Sequence, residues 1–471
     1  MKTLPRLPRQ IELKSNQNIS LMGINLTDNY TMGELEDSYH MTADRYPYMA
    51  MKPHLNHIVR PNASFDIVDI VHFNRLYIVN SDGYIYADLT DVPSASRPTG
   101  TYVGNWYRCG QIGTDNQFAA IHNRIIIWPA KKILNTVTFA LTDMDTTHGL
   151  PDFDFICSAQ NRLFGVADNE IFCSKQGEPD VFDGDMGYAS SPFAAVVASE
   201  GEFTGCISFG TSVMFFKEDR VYKLLGETAL NYEYIEYIID GVKKGCHKSM
   251  QVINDTLYFM SRKGVMRYNG SYNSQIGLQL GDYDYTDAVG GYDGFHYYLS
   301  AKLNGEGKTF MFDLRKGLWL KDEDVYVKRF GYFESHFYRL ETGHGGTYLF
   351  TDDETQTVLN KTEFNDWSMT FKPFYETVSG RYNSSSVLFS YKKHGKIIMR
   401  VELGEDSTMK IEHKLDDQRW EEVARLIKKP RGVRVIALPI ARDDRYQMRI
   451  SGHGECAILG IVREFRQGSE R

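Results

Sequence analysis

The sequence predicts an all-β protein: an irregular β-propeller of about seven blades, with an N-terminal extended arm and a C-terminal antiparallel β-sandwich. Three observations predict it. Turn residues followed by short apolar and aromatic runs recur seven times, about 43 residues apart on average. Beyond residue 361 the grain changes to strands that alternate apolar with polar residues. Tyr and Phe number 30 and 27 in 471 residues, and both favour pleated, half-buried surfaces.

The first segment, 1–63, has little periodicity. Its stretch Gly33 to Pro47 reads as an extended arm, because Pro47 and Pro53 block helix continuation. The sequons starting at Asn18, Asn25 and Asn62 read as chance matches, since Met1 to Gln10 lacks the apolar stretch of a secretion signal.

The second segment, 64–360, repeats one theme: a turn, an apolar run, a polar turn and a second apolar run. Asn74-Arg75-Leu76-Tyr77-Ile78-Val79 leads through Ser81-Asp82-Gly83 to Tyr84-Ile85-Tyr86. Units of the same kind begin at Asn123, Asn161, Thr211, Asp255, Asp293 and Ser335. A four-stranded propeller blade takes ~40–50 residues, so one blade per unit fits. A lone hairpin cannot bury its apolar face, whereas seven sheets packed in a ring can. The competing reading is a large β-sandwich, or two smaller β domains.

The third segment, 361–471, offers six strands: Ser386–Tyr391, Lys396–Val401, Met409–His413, Val433–Leu438, Tyr446–Ile450 and Ala457–Val462. Gly404, Asp416-Asp417, Asp443-Asp444 and Gly452 with Gly454 punctuate them, as in an antiparallel sandwich. Trp420 to Ile427 has room for two helical turns.

Charge and cysteine usage narrow the function. A net charge of −8 argues against a general nucleic-acid binder, which needs excess Lys and Arg. It is compatible with a channel through which DNA slides without sticking. Six scattered cysteines, Cys109, Cys157, Cys173, Cys206, Cys246 and Cys456, contain no CxxC pair and read as buried thiols. No apolar run approaches the ~18 residues of a membrane span. The expectation is a protein made in a cytosol, with no membrane span and no cofactor.

The search for chemistry yields no catalytic, cofactor-binding or metal-binding residue. GxSxG, Walker A, HExxH and EF-hand patterns are missing from the sequence. His54 and His57 are three apart without an evident third ligand. Asp352, Asp353 and Glu354 read as a solvated loop, with a cation site as the alternative. A propeller glycosidase needs two facing carboxylates about 5–9.5 Å apart, which one sequence does not identify. Basic residues gather at Arg425, Lys428, Lys429, Arg431, Arg434, Arg442, Arg445 and Arg449, to be solvated or to face DNA or an acidic neighbouring subunit. Tyr283, Tyr285, Tyr292, Tyr297 and Tyr298 serve either core packing or a stacking surface for sugars.

Several segments carry a resemblance. They are His40-Met41-Thr42-Ala43-Asp44-Arg45-Tyr46-Pro47, the stretch Phe203 to Tyr222, and Phe312-Asp313-Leu314-Arg315-Lys316-Gly317-Leu318-Trp319. The closing Met448 to Gly454 and Ile461 to Phe465 join them. With the arm, the irregular blades and the sandwich, the chain resembles phage structural proteins of the tail hub, nozzle or head-stabilisation type found in short-tailed phage. The resemblance implies a non-enzymatic virion protein, made in the host cytoplasm and located in the tail. It implies a homo-oligomeric ring, a hexamer for example, below the portal or adaptor, among other tail proteins. Such a ring extends or closes the genome channel and lets DNA pass during genome ejection without specific binding. The alternatives are a virion propeller that binds a host receptor or glycan, and a propeller-type polysaccharide hydrolase.

Overall fold

The computed structural model describes residues 14–53, 55, 57–59, 61–62, 65–271, 273–343, 346–352, 366–374, 377–379, 385–387, 390–416, 418–427, 431–438, 442–443 and 445–470. Among them the chain is all-β, with three single-turn 3-10 segments and no α-helix. Among the described residues no helix is long and apolar enough to cross a membrane. The chain forms two compact units. One is Leu55–Leu314 with Asp324–Glu363; the other is Met1–His54, Arg315–Glu323 and Phe364–Arg471.

The larger unit contains seven antiparallel sheets in chain order. The first holds Ile67–Phe73, Arg75–Asn80, Tyr84–Asp88, Trp106–Gln111 and Tyr102–Val103. The second holds Gln117–Ile121, Arg124–Trp128, Lys132–Asn135 and Leu141–Asp143. The third holds Phe155–Ala159, Arg162–Ala167, Glu170–Cys173 and Phe193–Val196. The fourth holds Gly205–Phe209, Ser212–Phe216, Val221–Leu225 and Glu233–Tyr237. The fifth holds Gln251–Ile253, Thr256–Ser261, Gly264–Tyr268 and Asn273–Gln275. The sixth includes Thr286–Tyr292, His296–Leu303 and Glu306–Asp313. The seventh runs Tyr326–Phe333, His336–Gly343, Gly346–Thr351 and, from far earlier in the sequence, His57–Val59.

Each of the seven repeat starts read from the sequence lies in the loop between the first and second strands of one sheet. The local chemistry explains the placement. Gln160-Asn161, Asn254-Asp255 and Glu334-Ser335 each take positive φ at both positions, the geometry of the two-residue hairpin turn whose twist matches its strands.

Burial explains why the second strands are almost purely apolar. Ser212–Phe216 is buried at every position, and Arg124–Trp128 at all but its first. A strand alternates its side chains between two faces, so such a run needs cover on both. Ile125 and Ile127 pack with Tyr77 and Val79 of the first sheet, whereas Ile126 and Trp128 pack with Phe153 and Leu163 on the other side. Phe164 and Val166 continue the chain of contacts to Val213 and Phe215. Aromatic pairs make the next three joints: Phe216 with Phe259, Tyr258 stacked on Tyr297 at 5.1 Å, and Tyr298 with Phe330. The last sheet packs on the first, through Val59, Tyr338, Leu340 and Leu349 against Ile67, Ile70 and Ile78. At Gly165 a Cβ would lie 2.5 Å from Cδ1 of Phe153, so only glycine lets the Phe153 ring approach so closely.

Among the described residues the other unit has two large antiparallel sheets and a small two-stranded pairing of Thr377–Ser379 with Ser385–Val387. One orders Met41–Thr42, Met49–Met51, Cys456–Glu470, Ser390–Leu403 and Gly432–Ala437, with Lys14–Ile19 also on Cys456–Glu470 and Arg442–Asp443 also on Ser390–Leu403. The second orders Leu35–Tyr39, Asp366–Phe371, Tyr446–His453, Thr408–Leu415 and Glu421–Ile427. The buried Arg463 of the first lies over the Tyr446 ring of the second and over that of Phe374.

The boundaries differ from those read in the sequence. Residues 1–63 are not a separate arm where they are described. Ser15 pairs with Phe465, Ser38 with Met369 and Ala50 with Ala457, while Ile58 pairs with Phe350 in the larger unit. These strands are three to six residues long, too short to show a period, and their partners are hundreds of residues away. Residues 315–323, expected within 64–360, belong to the smaller unit. Lys52 Nζ lies 2.9 Å from both carboxylate oxygens of the buried Asp322, and Ser38 Oγ donates to Lys321 O. Trp420 to Ile427 contains a strand, Glu421–Ile427, rather than helical turns; it pairs with Thr408–Leu415. Cross-strand pairing overrides the local preference.

Candidate functional site

The first strands of the second to seventh sheets converge on a cavity of about 340 Å³ in the larger unit, lined in part by Asn116, Gln117, Phe155, Ser158, Ser208, His247, Lys248 and Arg329. One β-bulge carries Arg329 in its wall, and a second sets Asp69 beside that arginine. Register shifts between Val327 and Arg329, and between Ile67 and Asp69. A bulge turns a side chain off the regular alternation. Arg329 then meets Asp69 side-on: Nε donates to Oδ1 at 2.8 Å and Nη2 to Oδ2 at 2.9 Å. Nη2 also donates to Asn116 O at 3.4 Å, and Asp69 Oδ1 accepts from the Ile70 amide. Burial works against the Arg329 charge, but the Asp69 carboxylate outweighs it and the pKa is raised.

Three more basic groups stand around this pair. The 3-10 turn His247–Ser249 carries two of them. Burial lowers the His247 pKa to about 4, with Lys248 and Arg329 adding repulsion. Lys248 is lowered by burial and then by Arg329; its Nζ lies 3.7 Å from Asp115 Oδ1. His72 is lowered by the same two causes. At neutral pH the wall therefore presents two cations, each beside a carboxylate, together with one neutral imidazole and amides. Gln117 is already spent on the backbone: Nε2 donates to Asp154 O, and Oε1 accepts from the Ile156 amide. The arrangement suits hydrogen bonding to a polar solute and holds its own charges close to balance.

The sequence did not single out this group. Arg329 sits in an ordinary strand and His247-Lys248 in a short turn, with no motif spacing. Of the residues that it did single out, Cys157 and Cys206 line the cavity; the others that are described lie elsewhere. Asp352 accepts from the Phe337 amide and faces His336 Nδ1 at 3.3 Å; Asp353 and Glu354 lie outside the described residues. So do His54, the side chain of His57, and Ala63 and Ser64 of the Asn62 sequon. Asn25 is buried, donating to Asn29 O and Glu34 Oε2. Tyr285, Tyr297 and Tyr298 are buried packing residues, with hydroxyls donating to Leu280 O, Ser249 O and Asp293 Oδ2; Tyr283 is half exposed. All six cysteines are free thiols and five are buried. Burial pushes the thiols of Cys109 and Cys173 up to about 12. Of the basic group, Arg425 pairs with Glu422 and Arg449 with Glu412, while Lys428, Lys429 and the Arg442 side chain lie outside the described residues.

A second recurrent element emerges from the structure. Asn-Arg opens the second strand of the first three sheets, and each arginine reaches backbone carbonyls. Arg75 Nη1 donates to Asp88 O at 2.5 Å, and Arg124 Nη2 to Gly177 O at 3.0 Å. Arg162 is fully buried and donates to Ser174 O, Ser191 O and Ala189 O at 2.6–2.7 Å.

No protein-family model matches the chain, and no curated protein matches it. Among solved structures, it is similar to the extracellular domain of BT4673 of B. thetaiotaomicron, assigned as a one-component system. That match has a TM-score of 0.44 and 10% identity, covering 89% of this chain and 62% of the other, so this chain spans under two thirds of its length. It is also similar to Hsv2 of Kluyveromyces lactis, with TM-score 0.34 and 10% identity over 68% and 96% of the two chains. An exo-β-1,3-galactanase of Phanerochaete chrysosporium matches with TM-score 0.25 and 10% identity over 68% and 96%.

Proposed function

We propose that the larger unit is a seven-bladed β-propeller, that the two large sheets of the smaller unit form a β-sandwich, and that the chain is a non-enzymatic structural subunit of a virion. Its place in this reading is an oligomeric ring of a phage tail, at a hub or nozzle position, extending or closing the genome channel below the portal or adaptor. The observation that carries the reading is the joint between the seventh and first sheets. His57–Val59 enters from the start of the chain and completes the last sheet, and Val59 packs into the apolar cluster shared with the first. A ring fastened by a strand from its opposite end opens only when that strand is stripped away, which suits a part whose job is to stay rigid under load. The test is mass spectrometry of purified particles, with gold-labelled antibody against this chain viewed by electron microscopy. Label at the tail is the expected result, and particles lacking the chain would sink the reading.

The cavity beside Arg329 favours a second reading, a virion propeller that binds a host glycan, because Ser158, Ser208 and the Phe155 ring share its wall with Lys248 and Arg329. Glycan-array binding that is lost in Ser208→Trp would favour it.

A further inference from the structure

The fourth sheet ends on an open edge. Glu233–Tyr237 pairs with Val221–Leu225 on one side and is the terminal strand of its sheet. All five of its residues are exposed, and Leu230 and Ile238 beside it are 64% and 80% exposed. A terminal strand leaves a row of backbone N–H and C=O groups without a neighbouring strand, and is a template for one. Its charge says which kind. Residues 226–240 hold Glu227, Glu233, Glu236 and Asp240 and no Lys or Arg. Pairing this strand with its own copy would set four carboxylates on two five-residue strands, which like-charge repulsion disfavours.

The complementary edge is in the same chain. Gly432–Ala437 is the terminal strand of its sheet and pairs on one side with Ser390–Leu403. Residues 428–438, which contain this strand, hold Lys428, Lys429, Arg431 and Arg434 and no Asp or Glu. Val433 and Val435, on one face of the strand, are 49% and 62% exposed.

Resting on the structural-subunit reading, we propose that Glu233–Tyr237 of one copy pairs edge to edge with Gly432–Ala437 of a second copy. An antiparallel register with Glu236 opposite Arg434 also sets Ile235 opposite Val435 and Tyr237 opposite Val433. One such pairing aligns the charges and the exposed apolar residues together, and cross-strand pairs are the unit of sheet stability. The two edges are different surfaces, so the contact is heterologous and propagates from copy to copy into a ring or a filament.

The test uses the full chain in analytical ultracentrifugation and native mass spectrometry. The wild type is expected to form oligomers as concentration rises. Glu236→Lys and Arg434→Glu are each expected to weaken association about ten-fold or more. Mixing the two variants restores it, because each mismatched edge then finds an opposite charge. Glu236 also takes a hydrogen bond from Arg220 within its own chain, and recovery on mixing excludes misfolding as the cause of the loss. With Ile235→Cys and Val435→Cys in one chain, mild oxidation is expected to give a ladder of disulfide-linked multimers. A wild type that stays monomeric, oligomers indifferent to both charge variants, or no recovery on mixing would each overturn the strand pairing. Finding the chain in particles despite any of these would leave the structural reading standing.

Discussion

Arg329 and Asp69 form a side-on ion pair, with N–O distances of 2.8 and 2.9 Å, between the first strands of the seventh and first sheets. Their side chains are 23% and 8% exposed, so water screens the pair little. It stands where the seventh sheet packs on the first. Arg329→Met is expected to destabilise the larger unit by about 3–5 kcal/mol, because it strands a buried carboxylate. Asp69→Asn with Arg329→Met is expected to cost clearly less than Arg329→Met alone. Urea titration of the three variants measures this. A loss under about 1 kcal/mol for Arg329→Met would mean that the pair behaves like one on an open surface.

The same arginine contributes to a pH response. His247 has a folded pKa of about 4 against 6.5 for an ordinary histidine, through burial first, then Lys248 and Arg329. The unfolded chain therefore binds this proton more readily than the folded one. Stability from this group is complete above about pH 6.5, declines as pH falls, and reaches its full loss of up to about 3 kcal/mol below pH 4. His247→Gln is expected to flatten that part of the stability profile. Arg329→Met removes a repelling charge and should raise the His247 titration midpoint, read by NMR of the imidazole protons. A midpoint that stays at about 4 would mean that Arg329 contributes nothing to it.

Arg162 ties the 174–191 segment to the third sheet through three carbonyls. Hydrogen bonds from a charged donor contribute about 1.5–3 kcal/mol each when made and are not additive. Arg162→Met is expected to cost about 3 kcal/mol overall and to open 175–190 to protease well before the sheets unfold. Limited digestion with a protease of broad specificity, followed by mass spectrometry, gives the cleavage map. Unchanged protection of that segment would mean that its own turns hold it.

How much of this was legible in the sequence follows from the range of the forces. The turns at Asn161, Asp255 and Ser335 announce themselves because a two-residue hairpin is decided by its own residues. The apolar runs after them are legible for the same reason, as Ser212–Phe216 needs cover on both faces wherever its partners are. The strands Lys14–Ile19 and His57–Val59 were not legible, since what makes them strands is Cys456–Glu470 and Gly346–Thr351. The Arg329 site was hidden for a related reason: a bulge at Arg329 and another at Asp69 aim two residues 260 apart at each other, and no spacing rule reports a bulge.

The strand His57–Val59 is where that long-range dependence is easiest to measure. Val59 is buried at 2% exposure in the cluster joining the seventh and first sheets, across from Leu349. Val59→Asp puts a charge into that cluster with no cation supplied for it, and burying an unpaired carboxylate costs several kcal/mol. Val59→Ala removes only two methyl groups and is expected to cost about 1–3 kcal/mol. If the strand latches a closed succession of sheets, the loss in Val59→Asp reaches the first sheet as well as the seventh. Hydrogen exchange should then quicken in Ile67–Phe73 and Tyr326–Phe333 together. Faster exchange confined to Gly346–Thr351 would mean that the strand merely covers an edge, and the sheets keep their order without it.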